Sequence, residues 1–370
     1  MQITRVTKGR GAVLNDAGRF ERHRHEAVDD GWGALEALLA EPPPRNELLA
    51  DASRTIIARN TSPDIPFDRS VNPYRGCEHG CVYCYARPSH NYLGYSSGLD
   101  FETALFVKHD AAELLREELA RPGYVPAPLA LGSNTDPYQP IERRLQVTRR
   151  ILEVLAETRH PVSIVTKSAA VLRDLDLLVP MARDGLASVA LSITTLDPEL
   201  ARKLEPRAAA PHRRLSTMRE LSAAGVPVAL SLAPVIPGLT DHEIERILEA
   251  AAGAGARAAS RILLRLPYDV KELFEAWLEA HYPDRRSKVL SLVRQCRGGR
   301  LNDPDFNSRM RGQGPIAELI RRRFERAAER LGLVRRSLNL RSDLFVAPGG
   351  TPQLGLFDLP EGPAPRTVAI

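Results

Sequence analysis

A chain of 370 residues is long enough for one large domain with appendages, or for two domains. With 43% hydrophobic and 26% charged residues it lies near the averages of soluble globular proteins, which excludes wholesale disorder and a fibrous repeat. No uncharged apolar run approaches the ~18 residues of a membrane span, and residues 1–11 carry charge where a secretory leader carries an apolar stretch, so a cytoplasmic protein is expected.

The net charge is +5, and of the 51 basic residues only six are lysine. Such an arginine excess suits bidentate recognition of phosphate or carboxylate, and a compositional bias of the whole genome produces it equally well. Three of the four cysteines fall between positions 77 and 84, a layout poor for a disulfide framework and good for holding metal.

Residues 1–60 read as a partly irregular arm with a proline run at 42–44 and one short helix over 32–39; His23 and His25 form a solvated pair within it. From 61 to 266 short apolar or β-branched runs alternate with helix-period segments, the pattern of consecutive βα units. Strands are predicted at 70–74, 129–133, 162–166, 188–193, 226–232 and 261–266, with helices at 141–158, 170–182, 215–224 and 241–252. The fold class is therefore α/β, a partial (β/α)6 barrel, with function expected at the carboxyl ends of its strands. A helical extension occupies 267–341, with helices predicted at 271–280, 287–296 and 315–331. The last places Ile316, Leu319, Ile320, Phe324 and Leu331 on one face opposite Arg321, Arg322, Arg326 and Arg330. Residues 342–370, rich in proline and glycine, read as a flexible tail.

The chemistry concentrates in Asn72-Pro-Tyr-Arg-Gly-Cys77-Glu-His-Gly-Cys81-Val-Tyr-Cys84-Tyr. Zinc takes four protein ligands in structural sites and three in catalytic ones, whereas iron–sulfur clusters accept thiolates at spacings this close. Three thiolates bind three irons of a cubane and leave the fourth open to a small ligand. Gly76 and Gly80 allow the backbone to fold tightly around such a group.

CxxxCxxC with an aromatic residue, Tyr83, just before the third cysteine resembles the signature of the radical S-adenosylmethionine enzymes. The resemblance implies a 4Fe-4S cluster on Cys77, Cys81 and Cys84 whose open iron chelates S-adenosylmethionine. Reductive cleavage there yields methionine and a 5′-deoxyadenosyl radical that abstracts a substrate hydrogen. The enclosed barrel protects the radical from side reactions. An electron donor of the flavodoxin or ferredoxin type is implied as well.

Weaker correspondences extend over about 70–266. Ser133, Asn134 and Thr135, in Gly132-Ser-Asn-Thr-Asp136, stand where the family's glycine-rich turn meets the methionyl amino group, although the common GGE form is absent. Lys167 is placed to pair with the cofactor's carboxylate, and Ser192 or Thr194 to reach its ribose. Glu205 and Arg207, in Leu204-Glu-Pro-Arg207, read as cofactor support or as a structural ion pair.

Arg75-Gly-Cys-Glu-His-Gly-Cys, Thr135-Asp-Pro-Tyr138, Thr166-Lys167 and Leu204-Glu-Pro-Arg207 look most like the branch of the family related to spore photoproduct lyase, a resemblance that implies repair or modification of nucleic acid. Bacillus-type lyases of that branch use a further cysteine near the second strand end as hydrogen donor, and here the neighbourhood is Ser133-Asn134. Cys296 lies far downstream on a predicted helix and reads as an inert buried thiol, leaving Tyr138 or Tyr83 as relay candidates. Asn302, Asp303, Arg309 and Arg311, set among glycines, read as a substrate entrance or as an ordinary connecting loop.

In the tail, Gln353, Leu354, Leu356 and Phe357 resemble the QLxLF peptides by which bacterial polymerases and repair factors dock on the replicative sliding clamp. Two rivals accompany the nucleic-acid reading: a radical enzyme acting on a protein or small metabolite, and a non-enzymatic zinc-binding adaptor tethered to the replication machinery.

Overall fold

The computed structural model describes residues 5–21, 45–333 and 339–349. His23, His25, the helix predicted over 32–39 and the peptide from Gln353 to Phe357 lie outside these. The strands, in chain order, are β1 (Glu47–Ala50), β2 (Ile57–Arg59), β3 (Arg69–Val71), β4 (Tyr74–Arg75), β5 (Ala104–Val107), β6 (Leu129–Leu131), β7 (Val162–Thr166), β8 (Ala187–Ser192), β9 (Val228–Val235) and β10 (Ala258–Leu263). The helices are α1 (Ala111–Leu119), α2 (Val147–Glu157), α3 (Leu175–Arg183), α4 (Pro198–Leu204), α5 (Pro211–Ala223), α6 (Ile244–Gly253), α7 (Val270–His281), α8 (Pro283–Gln295) and α9 (Gly314–Arg330), with shorter helical turns between them.

The main sheet has the order β10-β9-β8-β7-β6-β3-β2. From β3 to β10 each strand lies parallel to its sequence successor in the sheet, and β2 closes one edge antiparallel to β3. The sheet stays open, as a partial barrel does, and all its parallel carboxyl ends face one mouth. In β7 the buried residues Val162, Ile164 and Thr166 alternate with half-buried ones, and β8 is buried almost throughout, as expected of strands covered by helices. α2 buries Val147, Ile151, Val154 and Leu155 on one stripe against the sheet.

Four expectations shift. The strand at 70–74 is two strands in different sheets: Pro73 has no N–H to donate, its carbonyl accepts from Lys108 N at 3.1 Å, and β4 pairs with β5 in a small sheet of order β1-β5-β4. The helix at 141–158 breaks at Gln146, φ 52°, where the Glu142 carboxylate accepts from Thr148 N at 3.1 Å and so caps α2. β10 starts earlier than predicted, on the small buried residues Ala258 and Ala259, which carry no strong strand signal of their own. In α9 Leu319 is exposed, and Ala317, Ile320, Phe324, Ala327 and Ala328 form the buried stripe, pinned to α6 by Arg323–Glu245 and Arg330–Glu249.

Candidate active site

The cysteine loop leaves β4 at the mouth of the main sheet and is gripped from several sides. Cys77 N donates to Phe101 O at 2.8 Å, and Val82 N to Leu204 O at 3.1 Å. Arg87, fully buried, donates from Nε to Cys81 O at 2.8 Å and pairs with the equally buried Glu102 at 2.5 Å. Glu102 in turn accepts from Gly11 N and Ala12 N at 3.0 and 2.8 Å, so the segment around Ala12–Leu14 is part of the loop's support. Gly80 is required here: its φ is +65°, and a Cβ would stand 2.7 Å from Glu102 Oε2.

Cys77 and Cys81 are buried and Cys84 half-buried. Burial pushes the Cys77 thiol well up, with Asp136, Cys81 and Cys84 adding to it, and pushes Cys81 up to about 12. A metal taken up by these thiols would therefore have to displace their protons. Among the described residues no three His, Cys, Asp or Glu side chains are drawn together closely enough to clasp a single ion. A cubane makes a different demand, one soft thiolate per iron, and three cysteines on one tightly held loop fit it.

Facing this loop is a network built from Tyr83, Thr194, Glu205 and Arg214. The Tyr83 hydroxyl donates to Glu205 Oε1, and the Thr194 hydroxyl donates to the same oxygen at 2.8 Å. Glu205 Oε2 pairs with Arg214 Nη2; both side chains are 1% exposed. Burial opposes the Glu205 charge, but Arg214 and Lys167 overcome it and hold the carboxyl at about 2. Arg214 also donates to Ser192 O and Ala209 O, fastening α5 to the end of β8. The Lys167 ammonium lies 5.9 Å from the centre of the Tyr83 ring and has no hydrogen bond or ion pair among the described residues. Burial opposes its charge while Glu205 and Asp136 favour it through space, and its three donors are uncommitted among the described residues, which leaves it open to a direct anionic partner.

The turn Gly132–Asp136 hangs on Asn72, whose Oδ1 accepts from Asn134 N at 2.9 Å and whose Nδ2 donates to Ser133 Oγ at 3.2 Å. The Thr135 hydroxyl donates to Tyr74 O at 3.0 Å. Asp136 bridges to the next strand, accepting from Thr166 Oγ1 and Lys167 N, both at 2.7 Å, with His79 Nδ1 3.2 Å away. Burial opposes its charge, and these partners together keep it at about 2. Gly132, φ +93°, has Val165 O 2.4 Å from where a Cβ would stand. Gly132→Ala is expected to lose at least about 2 kcal/mol of stability through strain and overpacking; a urea midpoint equal to wild type would contradict this.

The predicted site residues thus fall into three groups. Tyr83, Thr194 and Glu205 share one network beside Lys167; Ser133, Asn134 and Thr135 form the anchored turn; Ser192 donates its hydroxyl to Ala233 O at 3.2 Å. Arg207 pairs with Glu78 of the cysteine loop at 2.9 Å, while Glu205 pairs with Arg214 and not with Arg207. Both relay candidates are engaged on carboxylates, Tyr83 with Glu205 and Tyr138 with Asp174 at 3.0 Å. Cys296 is fully buried and its thiol is pushed up to about 11 by burial. Arg309 forks onto Asp64 at 2.5 and 2.6 Å, tying its loop to the body of the fold. Sequence reasoning gave no role to Asn72, His79, Glu102, Asp136 or Arg214; Asn72 and His79 lie within the cysteine motif and Asp136 closes the turn motif, whereas Glu102 and Arg214 carried no signal.

Residues 71–251 match the Radical SAM superfamily. Over 258 residues, 69% of this chain and 74% of the relative, the sequence is 38% identical to an uncharacterized protein of Mycobacterium tuberculosis. Over 188 residues, 50% of this chain and 37% of the relative, it is 26% identical to the radical SAM Nalpha-GlyT isomerase of Pseudomonas phage M6. In fold it is similar to spore photoproduct lyase complexed with dinucleoside spore photoproduct, with a TM-score of 0.55 over 79% of this chain and 82% of that one, at 16% identity.

Proposed function

The chain belongs to the radical S-adenosylmethionine superfamily and is an enzyme, and from that premise we propose that Cys77, Cys81 and Cys84 hold a 4Fe-4S cluster that binds S-adenosylmethionine, and that its substrate is linked to nucleic acid. The non-enzymatic adaptor is thereby set aside. The observation that carries the cofactor reading is Lys167, an ammonium beside Tyr83 and the cysteine loop that makes no direct ion pair or hydrogen bond among the described residues while standing in the field of Glu205 and Asp136. It suits the methionyl carboxylate, with Thr194 and Ser192 on the neighbouring strand toward the ribose and the Ser133–Thr135 turn toward the amino group. When bound, the cofactor pair supplies a carbon radical capable of abstracting hydrogen. The chain's own part is to hold the loop rigid, orient the nucleotide and keep water out.

The nucleic-acid part is supported by the arginine excess and by a structural neighbour that is complexed with a dinucleoside photoproduct. Gln353, Leu354, Leu356 and Phe357 would add docking on the sliding clamp, and a flavodoxin or ferredoxin type donor would supply the electron. The test is binding of lesion-bearing DNA across a salt series. We expect log K to fall linearly with log salt by about 0.9 per phosphate contact, and release of 5′-deoxyadenosine to rise when that DNA is added. No binding at low salt together with no stimulation overturns the nucleic-acid assignment and moves the target to a protein or small metabolite.

A further inference from the structure

Beside the cysteine loop lies a cavity of about 540 Å³, formed by the turns that follow β6 and β7 and by the entry to α5. Its wall includes His79, Ser168, Arg143, Arg173, Arg207 and Arg213, and among the described residues no carboxylate side chain lines it. Four guanidinium groups around one hollow concentrate positive potential there.

The four differ in how they are held. Arg173 is fixed from behind by Glu142 and Asp174, each at 2.8 Å, and Arg207 by Glu78 at 2.9 Å. Their charges are largely balanced, but their planar forks are immobilised. Among the described residues Arg213 reaches only Glu220, at 3.3 Å, a pair with both partners about half exposed and therefore weak. Arg143, on the turn after β6, makes no ion pair or side-chain hydrogen bond among the described residues. Two oriented forks and two cations with charge to spare are what an oxyanion site needs. Forks arriving from four separate segments exceed what one planar carboxylate can engage and suit a tetrahedral anion with several acceptor oxygens. The volume also leaves room for the group that carries the anion.

The cavity shares a wall with the cysteine loop through His79, which stands between Cys77 and Cys81 and is tied to Asp136 at 3.2 Å. An anion seated there is placed next to the proposed reaction centre. We propose that this cavity is a phosphate-binding subsite that positions the substrate by one or more phosphate groups. That the phosphates belong to nucleic acid rests on the function proposed above; the anion site itself does not.

The test uses the full-length, cluster-loaded protein with a short fluorescein-labelled oligonucleotide and, separately, inorganic pyrophosphate, on wild type and on Arg143→Gln/Arg213→Gln. The double variant should bind the oligonucleotide at least ~10-fold more weakly at low salt and show a salt slope shallower by about 2, with an unchanged melting temperature. Arg143→Lys/Arg213→Lys should recover the slope and only part of the affinity, since charge returns without the forks. If wild type binds the oligonucleotide and the glutamine variant binds it equally well with the same slope, the subsite is wrong and the nucleic-acid reading survives. If wild type binds pyrophosphate in an Arg143/Arg213-dependent way but ignores the oligonucleotide, the subsite stands and the substrate class falls. Binding of neither probe overturns both.

Discussion

Cys81→Ser, purified and reconstituted without oxygen, is expected to lose the brown iron–sulfur absorption and at least ~100-fold of its 5′-deoxyadenosine release. Each of the three loop thiols is one of the few soft donors within reach of the others, and no fourth cysteine stands by to replace it: Cys296 is fully buried elsewhere in the core. The hydroxyl of serine fits the same space but is a hard, weakly acidic donor, so the loop survives while its affinity for iron does not. Cys296→Ser serves as the control and should keep both colour and activity. Iron retained at wild-type stoichiometry in Cys81→Ser, or colour lost equally from Cys296→Ser, would refute the assignment of the loop.

The second large effect is on stability. Glu205→Gln leaves Arg214, 1% exposed, charged and without its counterion, and also takes the charged acceptor from Tyr83 and Thr194. Breaking a buried pair by removing one partner costs about 3–5 kcal/mol. A urea midpoint lowered by that loss divided by m, with m itself unchanged, is the expected result; a midpoint within experimental scatter of wild type would show the pair to be dispensable. The same carboxylate gives a pH signature. Its folded pKa of about 2 lies below the ordinary 4.5, so its contribution is complete above pH 4.5 and is lost as pH falls toward 2. Asp136, held at about 2 against an ordinary 3.8, adds loss in the same window. Wild-type stability should therefore drop more steeply between pH 4.5 and 2 than that of Glu205→Gln. Parallel curves would place the pH dependence elsewhere.

How much of this was legible before the structure depended on how local each feature is. β7 has the predicted bounds, Val162–Thr166, and β8 nearly so, because a short β-branched run flanked by helix signals leaves one solution. The split of strand 70–74 was written in Pro73, but which sheet would capture β4 depends on β5, thirty residues downstream. The break at Gln146 follows from a carboxylate turning back on the next helix's first N–H groups, a contact that periodicity does not register. The cysteine spacing announced the loop, while its supports did not announce themselves. Arg87 and Glu102 are fifteen residues apart and read as ordinary surface charges until the fold buries both. Arg214 sits in a His-Arg-Arg run that looks like the wet face of a helix, yet it is the fully buried cation that sets the charge of Glu205. Leu319, counted into the apolar face of α9, is exposed because smaller alanines meet α6 instead.

The proposed cluster on the loop leaves one iron free for the sulfonium nucleotide. Chemical reduction of the anaerobically reconstituted wild-type enzyme in the presence of S-adenosylmethionine, with iron per chain and 5′-deoxyadenosine both counted, checks this. Four irons per chain, at the stoichiometry of one cubane, with reduction-dependent 5′-deoxyadenosine release is the predicted result. A fully protein-ligated single ion, or a loaded cluster that leaves S-adenosylmethionine intact under reduction, would contradict it.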